Sequence, residues 1–469
     1  MKKKLLLINP NNVYKKGIYN SSDYSVPPMG LGILAALTPD HWDIEILDES
    51  FEEFTYRDAD LVGFTALTSQ ATRAYELATI YRKKNIKTVM GGIHASMMTD
   101  EALQYIDTVI VGEGESIWNE VLVDFENDEL KETYHGTLLS MYESPTPRID
   151  LYHPGYGLGS LQTTRGCPMK CDFCSVHTFN GRKYRYRSVD AVVEEYKLIP
   201  QERLYVIDDD FYGYGKKHAN RAKDICRGFI NSGIKKEWYT FCSMNLANDE
   251  EALQLMAEAG CRMILLGIES ELTDQLEASE KITNLKTGVE NYEKVYDAFH
   301  NAGIAVLGSF IFGLDTDTRK TIRARTDYFI NSGVDCIQPG MLTPLPGTIT
   351  YKNLKKENRI NDMNYPEAWN KYTFFNCVID PINMTSNEFQ ELMNEEWRRM
   401  FDLKVIKRKY LNTLKATKNA FAAGWALSTN LKYHNTVFEG SKEDYNYSDI
   451  YRQLTSLSME FSKEFPAIG

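Results

Sequence analysis

The chain has 469 residues, 43% of them hydrophobic and 25% charged, with a formal net charge of −12. That length exceeds what one core supports and predicts two or three domains, with the composition of an ordinary globular protein. The negative balance argues against nucleic acid as a partner, which would need a basic stripe, and so against a tRNA-modifying role.

The N-terminus, Met1-Lys2-Lys3-Lys4, leads into Leu5-Leu6-Leu7-Ile8 and stops at Asn9-Pro10. This reads as a first strand rather than a secretory segment. The longest apolar stretch, Ala302 to Leu314, is broken by glycines and is too short to span a bilayer. Further strands are expected at Trp42–Leu47, Asp60–Thr65, Lys87–Met90 and Thr108–Val111, with helical stretches such as Ala71–Tyr81 between them. Continuous apolar strands alternating with helices predict a parallel sheet covered on both faces. Residues 1–125 are therefore expected to form a doubly wound, Rossmann-like α/β domain with its ligand crevice at the carboxyl ends of the strands.

Four loops in this domain carry glycines, hydroxyls or carboxylates. They are Met29-Gly30-Leu31; Thr65, Leu67, Thr68, Ser69 and Gln70; Gly91-Gly92-Ile93-His94; and Gly112-Glu113-Gly114-Glu115. Glycines there let the backbone approach a ligand closely, and polar side chains bond its rim. Tight turns of any doubly wound domain are the plainer explanation. A dinucleotide would call for G-x-G-x-x-G after the first strand, and Ile8-Asn9-Pro10-Asn11-Asn12 lacks it.

Residues 126–158, with Pro145, Pro147 and Pro154, read as a linker. Alternation then resumes, with strands expected at Gly159–Thr164, Leu204–Asp208, Trp238–Cys242, Met263–Gly267, Ala305–Phe312 and Val334–Gly340. Helices are expected at Ser188–Ile199 and Glu250–Ala259, the second with Asn248 as its N-cap. About six βα units over residues 159–345 predict an open (β/α)6 partial TIM barrel, whose chemistry would sit at the C-terminal strand ends.

Near the start of this region stands Arg165-Gly166-Cys167-Pro168-Met169-Lys170-Cys171-Asp172-Phe173-Cys174, a C-x3-C-x2-C run with no fourth cysteine nearby. A cubane [4Fe–4S] cluster ordinarily takes four thiolates, so three leave one iron open to a small molecule. Zinc would call for four ligands in C-x2-C pairs, and three unrelated thiols are the remaining alternative. The other cysteines, Cys226, Cys242, Cys261, Cys336 and Cys377, show no pairing rhythm and fit reduced thiols in the cytoplasm.

Strand two of the barrel ends in Asp208-Asp209-Asp210, and strand four in Gly267-Ile268-Glu269-Ser270. Adjacent carboxylates at a strand end are costly unless solvated or engaged with a cation. Glu269 would face the barrel mouth or meet a helix dipole, and Ser243 is placed like it. Arg187 either steadies the cysteine loop or lies on the surface. Beyond Pro346 the pattern turns helical and aromatic, and residues 346–469 are expected to be a mainly helical, substrate-capping region. Leu403, Ile406, Tyr410 and Leu414 fall at helical spacing among lysines, which suits either a helix packed on the barrel or a peripheral contact with anionic lipid.

The cysteine run resembles the signature of radical S-adenosylmethionine (SAM) enzymes, including Phe173 before the third cysteine. With the four N-terminal loops before the barrel, the chain resembles the cobalamin (B12)-dependent branch of that family over residues 1 to about 400. The resemblance implies three cofactors: a [4Fe–4S] cluster on Cys167, Cys171 and Cys174, SAM, and cobalamin. It places SAM against Phe173, Asp209, Ser243 and Glu269, and cobalamin against the four loops. The D-x-H-x-x-G motif that supplies cobalt with a lower histidine is missing, so His94 is expected at the rim or in a turn and not on cobalt.

The implied activity is methylation of an unactivated carbon through a 5′-deoxyadenosyl radical and methylcobalamin. An electron donor such as flavodoxin or ferredoxin would serve it, and the substrate would be a small molecule or lipid. Cyclisation, rearrangement or oxidation without methyl transfer, as in the anaerobic protoporphyrin ester cyclase, is the alternative. An inactive corrinoid sensor would be expected to have a broken cysteine motif. A methylthiotransferase would need further cysteines in the first sheet.

Overall fold

The computed structural model describes residues 2–12 and 26–438. The expected C-terminal stretch from residue 439 onward lies outside them. The described chain forms two compact units, Met1–Asp209 with Thr343–Ile379, and Asp210–Leu342 with Asp380–Gly469.

The first unit is built on a six-stranded sheet in the order β2-β1-β3-β4-β5-β6. The strands are β1 (Lys3–Asn9), β2 (Trp42–Asp48), β3 (Leu61–Thr65), β4 (Lys87–Gly91), β5 (Thr108–Val111) and β6 (Thr133–His135), and every pairing is parallel. All five expected strands are present to within about two residues. The sixth, β6, falls in the segment read as a linker. Three residues beginning with Thr133 are too few for periodicity to reveal. Leu5 to Ile8 are all buried because β1 is covered on both faces. On one face Leu5, Leu7, Val89 and Ile110 pack with Leu31, Ala35, Trp118 and Leu122 from the helices Met29–Leu37 and Trp118–Glu126. The order reverses direction between β1 and β3, so the ligand crevice of such a sheet opens where these two strands end.

The same unit contains the parallel pair β7 (Gly159–Leu161) and β10 (Arg203–Val206), and a short antiparallel hairpin of β8 (Thr164–Arg165) and β9 (Arg185–Tyr186). The cysteine loop lies between the two hairpin strands. Thr343–Ile379 also joins this unit. Trp369 is fully buried there, its indole N–H donates to Glu101 Oε1 at 2.8 Å, and Thr72 Oγ1 donates to the Pro366 carbonyl at 2.6 Å. A buried indole N–H needs an acceptor, and Glu101 of the first domain supplies it, so this stretch does not belong with the C-terminal helices.

In the second unit β11 (Glu237–Cys242), β12 (Cys261–Glu269), β13 (Ala305–Phe312) and β14 (Cys336–Met341) run parallel in the order β14-β13-β12-β11. The helix Glu250–Glu258 is capped by Asp249, whose side chain accepts from Ala252 N, and not by Asn248. Asn248 instead ends a 3-10 turn over Met244–Asn248.

The C-terminal helices Ser386–Met400, Leu403–Thr417 and Ala420–Phe438 complete the unit. Ile406, Tyr410 and Leu414 are buried, and Lys409 donates to the Ser332 and Val334 carbonyls, each at 2.7 Å. Burial pushes the Lys409 ammonium down to about 7. The apolar stripe is thus covered by protein, and this helix does not present the lipid-facing surface its sequence allowed. Among the described residues no helix is long and apolar enough to cross a membrane.

Candidate cofactor sites

The loops at the carboxyl ends of the first sheet are stitched to one another. Gln70 Oε1 accepts from Leu67 N at 2.9 Å, and its amide donates to the Pro10 carbonyl at 2.8 Å, joining the segments after β3 and β1. Gly92 has φ +91°, and a Cβ there would stand 2.9 Å from Thr65 Oγ1. Gly112 has φ +86°, and a Cβ there would meet the Gly136 carbonyl at 2.7 Å. Both positions therefore require glycine. Beside these closed turns the rim is open, since Leu67 is 47% exposed and a Cβ on Gly30 would have nothing within 4 Å. A bare glycine backbone with an exposed leucine fits the flat, amide-fringed ring of a corrin.

Some of the residues expected at this rim have buried side chains. Leu31 lies in the core beneath the sheet, and Met29 and Thr68 are buried. His94, 1% exposed, sits in the helix Ile93–Met97, its Nε2 3.1 Å from the Tyr75 hydroxyl and its ring edge-on to Trp369 at 5.3 Å. It is an interior residue, enclosed by Tyr75 and Trp369. Electron paramagnetic resonance of the cob(II)alamin-loaded protein is therefore expected to show cobalt lines without nitrogen triplets, in the wild type and in His94→Ala alike. Triplets abolished by His94→Ala would overturn this assignment.

The cysteine loop is framed by carboxylates. Gly166 has φ +93°, and a Cβ there would lie 2.4 Å from the Lys183 carbonyl. Its N–H donates to Asp209 Oδ2 at 2.7 Å, and Asn180 Nδ2 donates to the same oxygen at 3.0 Å. Burial raises the Asp209 carboxyl above its ordinary range, against the pull of these donors and of Arg165 and Arg185. Asp208 accepts from the backbone N–H groups of Thr163 and Thr164 at 2.6 and 2.9 Å. Two of the three aspartates read as a SAM-facing or solvated cluster thus hold the loop in shape.

Within the loop, Cys167 N donates to the Gly181 carbonyl at 3.2 Å and Cys174 N to the Cys171 carbonyl at 3.0 Å. Cys171 is buried, while Cys167, Cys174 and Phe173 are half-buried. None of the eight cysteines is in a disulfide. Burial raises the thiols of Cys226, Cys261 and Cys336, which suits inert core residues. Among the described residues no three His, Cys, Asp or Glu side chains close around a single ion. Thiolates on separate irons of a cubane need not meet that geometry. Three soft thiols on one loop, two of them half-accessible, fit such a cluster.

Around the hairpin lies an ion-pair group that sequence reading missed. Arg185 grips Glu113 with two N–H···O bonds of 2.8 and 2.6 Å, and Arg165 reaches Glu115 at 2.7 Å and Glu113 at 3.5 Å. Burial opposes the Glu113 charge, but Arg185 and Arg165 prevail and hold its carboxyl below the ordinary range. Arg187 is buried too, donating to Glu195 at 2.7 Å and to the Gln162 carbonyl at 3.2 Å, so it steadies the strand entering the loop.

The other two expected SAM residues belong to the second unit. Ser243 Oγ donates to Asp210 Oδ2 at 2.7 Å. Glu269 ends β12 at a register shift with φ +61°, rare for a residue with a side chain. Several groups hold it there. Lys281 Nζ lies 2.7 Å from Glu269 Oε1, Asn284 donates to the carbonyls of Gly267 and Ile268, and Arg325 donates to the Glu269 carbonyl at 2.9 Å. Arg325 is 1% exposed and is itself fixed by Asp317 at 3.1 Å and Glu271 at 3.3 Å. Backbone strain supported in this way is frequent at functional positions. Lys281 and Arg325 carry no local motif, and only the strained strand end points to them.

The profile of the B12 binding domain matches residues 15–122, and that of the radical SAM superfamily matches residues 161–328. The chain is 28% identical over 431 residues to bacteriochlorophyllide d C-12(1)-methyltransferase of Chlorobaculum tepidum, covering 88% of this chain and 91% of that one. It is 25% identical over 348 residues to hopanoid C-2 methylase of Rhodopseudomonas palustris, covering 71% of this chain and 65% of the other. The radical SAM methyltransferase TsrM of Kitasatospora setae, solved with cobalamin and a [4Fe–4S] cluster, shares the fold with a TM-score of 0.65 at 18% identity, covering 97% of this chain and 100% of that one. With the B12 domain preceding the radical SAM domain in one polypeptide, the chain belongs to the cobalamin-dependent radical SAM enzymes.

Proposed function

We propose that the chain is a cobalamin-dependent radical SAM C-methyltransferase acting on a large, mostly apolar, polycyclic molecule. The observation that carries the reading is that an open, glycine-bearing rim and the three-cysteine loop share one compact unit. When bound, the cofactors supply a carbon radical and a transferable methyl group. The chain's own residues do the rest. Cys167, Cys171 and Cys174 hold the cluster, Asp209 fixes the loop through Gly166 and Asn180, and Glu269 offers its carboxylate to SAM's amine or ribose. Leu67 and the glycines at positions 30, 91, 92 and 112 seat the corrin.

A one-electron donor of the flavodoxin or ferredoxin class, in a reducing cytoplasm, would keep the cluster active. The substrate class rests on the relatives named above, whose names carry a tetrapyrrole and a hopanoid. Incubation of the reduced, cofactor-loaded enzyme with each of these two classes is expected to give a product heavier by one methylene. No mass gain on either would overturn the proposed substrate class.

A further inference from the structure

Glu113 and Glu115 stand in a loop expected to touch the corrin, yet their carboxylates bond the cluster hairpin. Glu113 is 3% exposed and receives the Arg185 fork and Leu139 N at 2.8 Å. Glu115 receives Arg165 Nη2 at 2.7 Å. Arg165 ends β8 two residues before Cys167, and Arg185 opens β9 on the return strand. Arg185 also donates to the carbonyls of Leu139 and Asn180, at 2.7 and 3.0 Å.

We propose that Glu113 and Glu115 are positioning residues for the iron–sulfur cluster: they tie the loop after β5 to both strands flanking the cysteines and neutralise the two arginines there. In this arrangement two cations face two carboxylates. Removing one carboxylate makes the surroundings of the loop more positive by one charge. A cluster gains negative charge on reduction, so the added positive charge favours the reduced form.

The inference rests on the cysteine trio carrying the cluster. Its test is potentiometric titration of the holoenzyme, followed by the paramagnetic signal of the reduced cluster, with cobalamin affinity measured by absorbance. Glu115→Gln is expected to shift the cluster potential upward with cobalamin affinity unchanged, while Glu115→Asp, which keeps the charge, stays near the wild type. Poor cluster loading with normal cobalamin binding would also support the tie. An unchanged potential at full loading would overturn the inference, as would weakened cobalamin binding, which would place Glu115 on the corrin. Glu113→Gln removes the fork and is expected to act in the same direction more strongly; should it fail to fold, Glu115→Gln decides alone. A full cluster in Cys167→Ala would instead overturn the cysteine assignment.

Discussion

Simultaneous replacement of Cys167, Cys171 and Cys174 by alanine is expected to abolish the cluster, with anaerobic iron and sulfide counts falling to background. Every turnover depending on the cluster should stop. The expectation is sharp because the remaining thiols are poor substitutes. Cys226, Cys242, Cys261 and Cys336 are buried, and Cys377 Sγ already donates to the Ile379 carbonyl at 3.1 Å. The loop should keep its shape in the triple variant. Its frame is backbone and carboxylate, with Asp209 on Gly166 and Asn180, and Glu113 on Arg185. Cobalamin binding should therefore persist. A full cluster in the triple variant would put the ligands elsewhere.

The second large effect is expected at the end of β12. Glu269→Gln removes a charge from a site that SAM's amine or ribose would bond, and should weaken SAM binding by about 1.5–3 kcal/mol with the cluster intact. Arg325→Met should act through the same residue and also lower stability. It frees the Glu269 carbonyl and leaves Asp317 and Glu271 without their cation, and breaking a buried pair in this way costs about 3–5 kcal/mol. If Arg325 reaches SAM only through Glu269, its effect on SAM affinity should vanish in the Glu269→Gln background. Equilibrium SAM binding and thermal unfolding of the single and double variants check both statements. Unchanged SAM affinity in Glu269→Gln would remove this residue from the site.

These two sites differ in how far they could be read from the chain. The strands were legible because a buried parallel strand such as Leu5 to Ile8 is apolar on both faces, and glycine and proline mark its ends. The cysteine loop was legible because cluster ligation needs fixed local spacing. Charged side chains were not, since nothing local names their partners. Glu113 and Glu115 look like rim carboxylates beside two glycines, and their arginines lie 50 or more residues away in sequence. His94 follows Gly91-Gly92 as a rim residue would, yet Tyr75 and Trp369 enclose it. The helix Leu403–Thr417 has a basic, amphipathic pattern that suits a membrane surface equally well, and only Ser332 and Val334 show where Lys409 goes.

The measurement closest to the central claim uses SAM carrying deuterium in its methyl group. The reduced enzyme, with cobalamin, substrate and labelled SAM, is expected to yield S-adenosylhomocysteine and 5′-deoxyadenosine in comparable amounts, because one SAM supplies the methyl group and another the radical. The product should carry the intact labelled methyl. Turnover that releases 5′-deoxyadenosine and converts the substrate, yet leaves no deuterated methyl in the product, would contradict methyl transfer and point to cyclisation or oxidation instead.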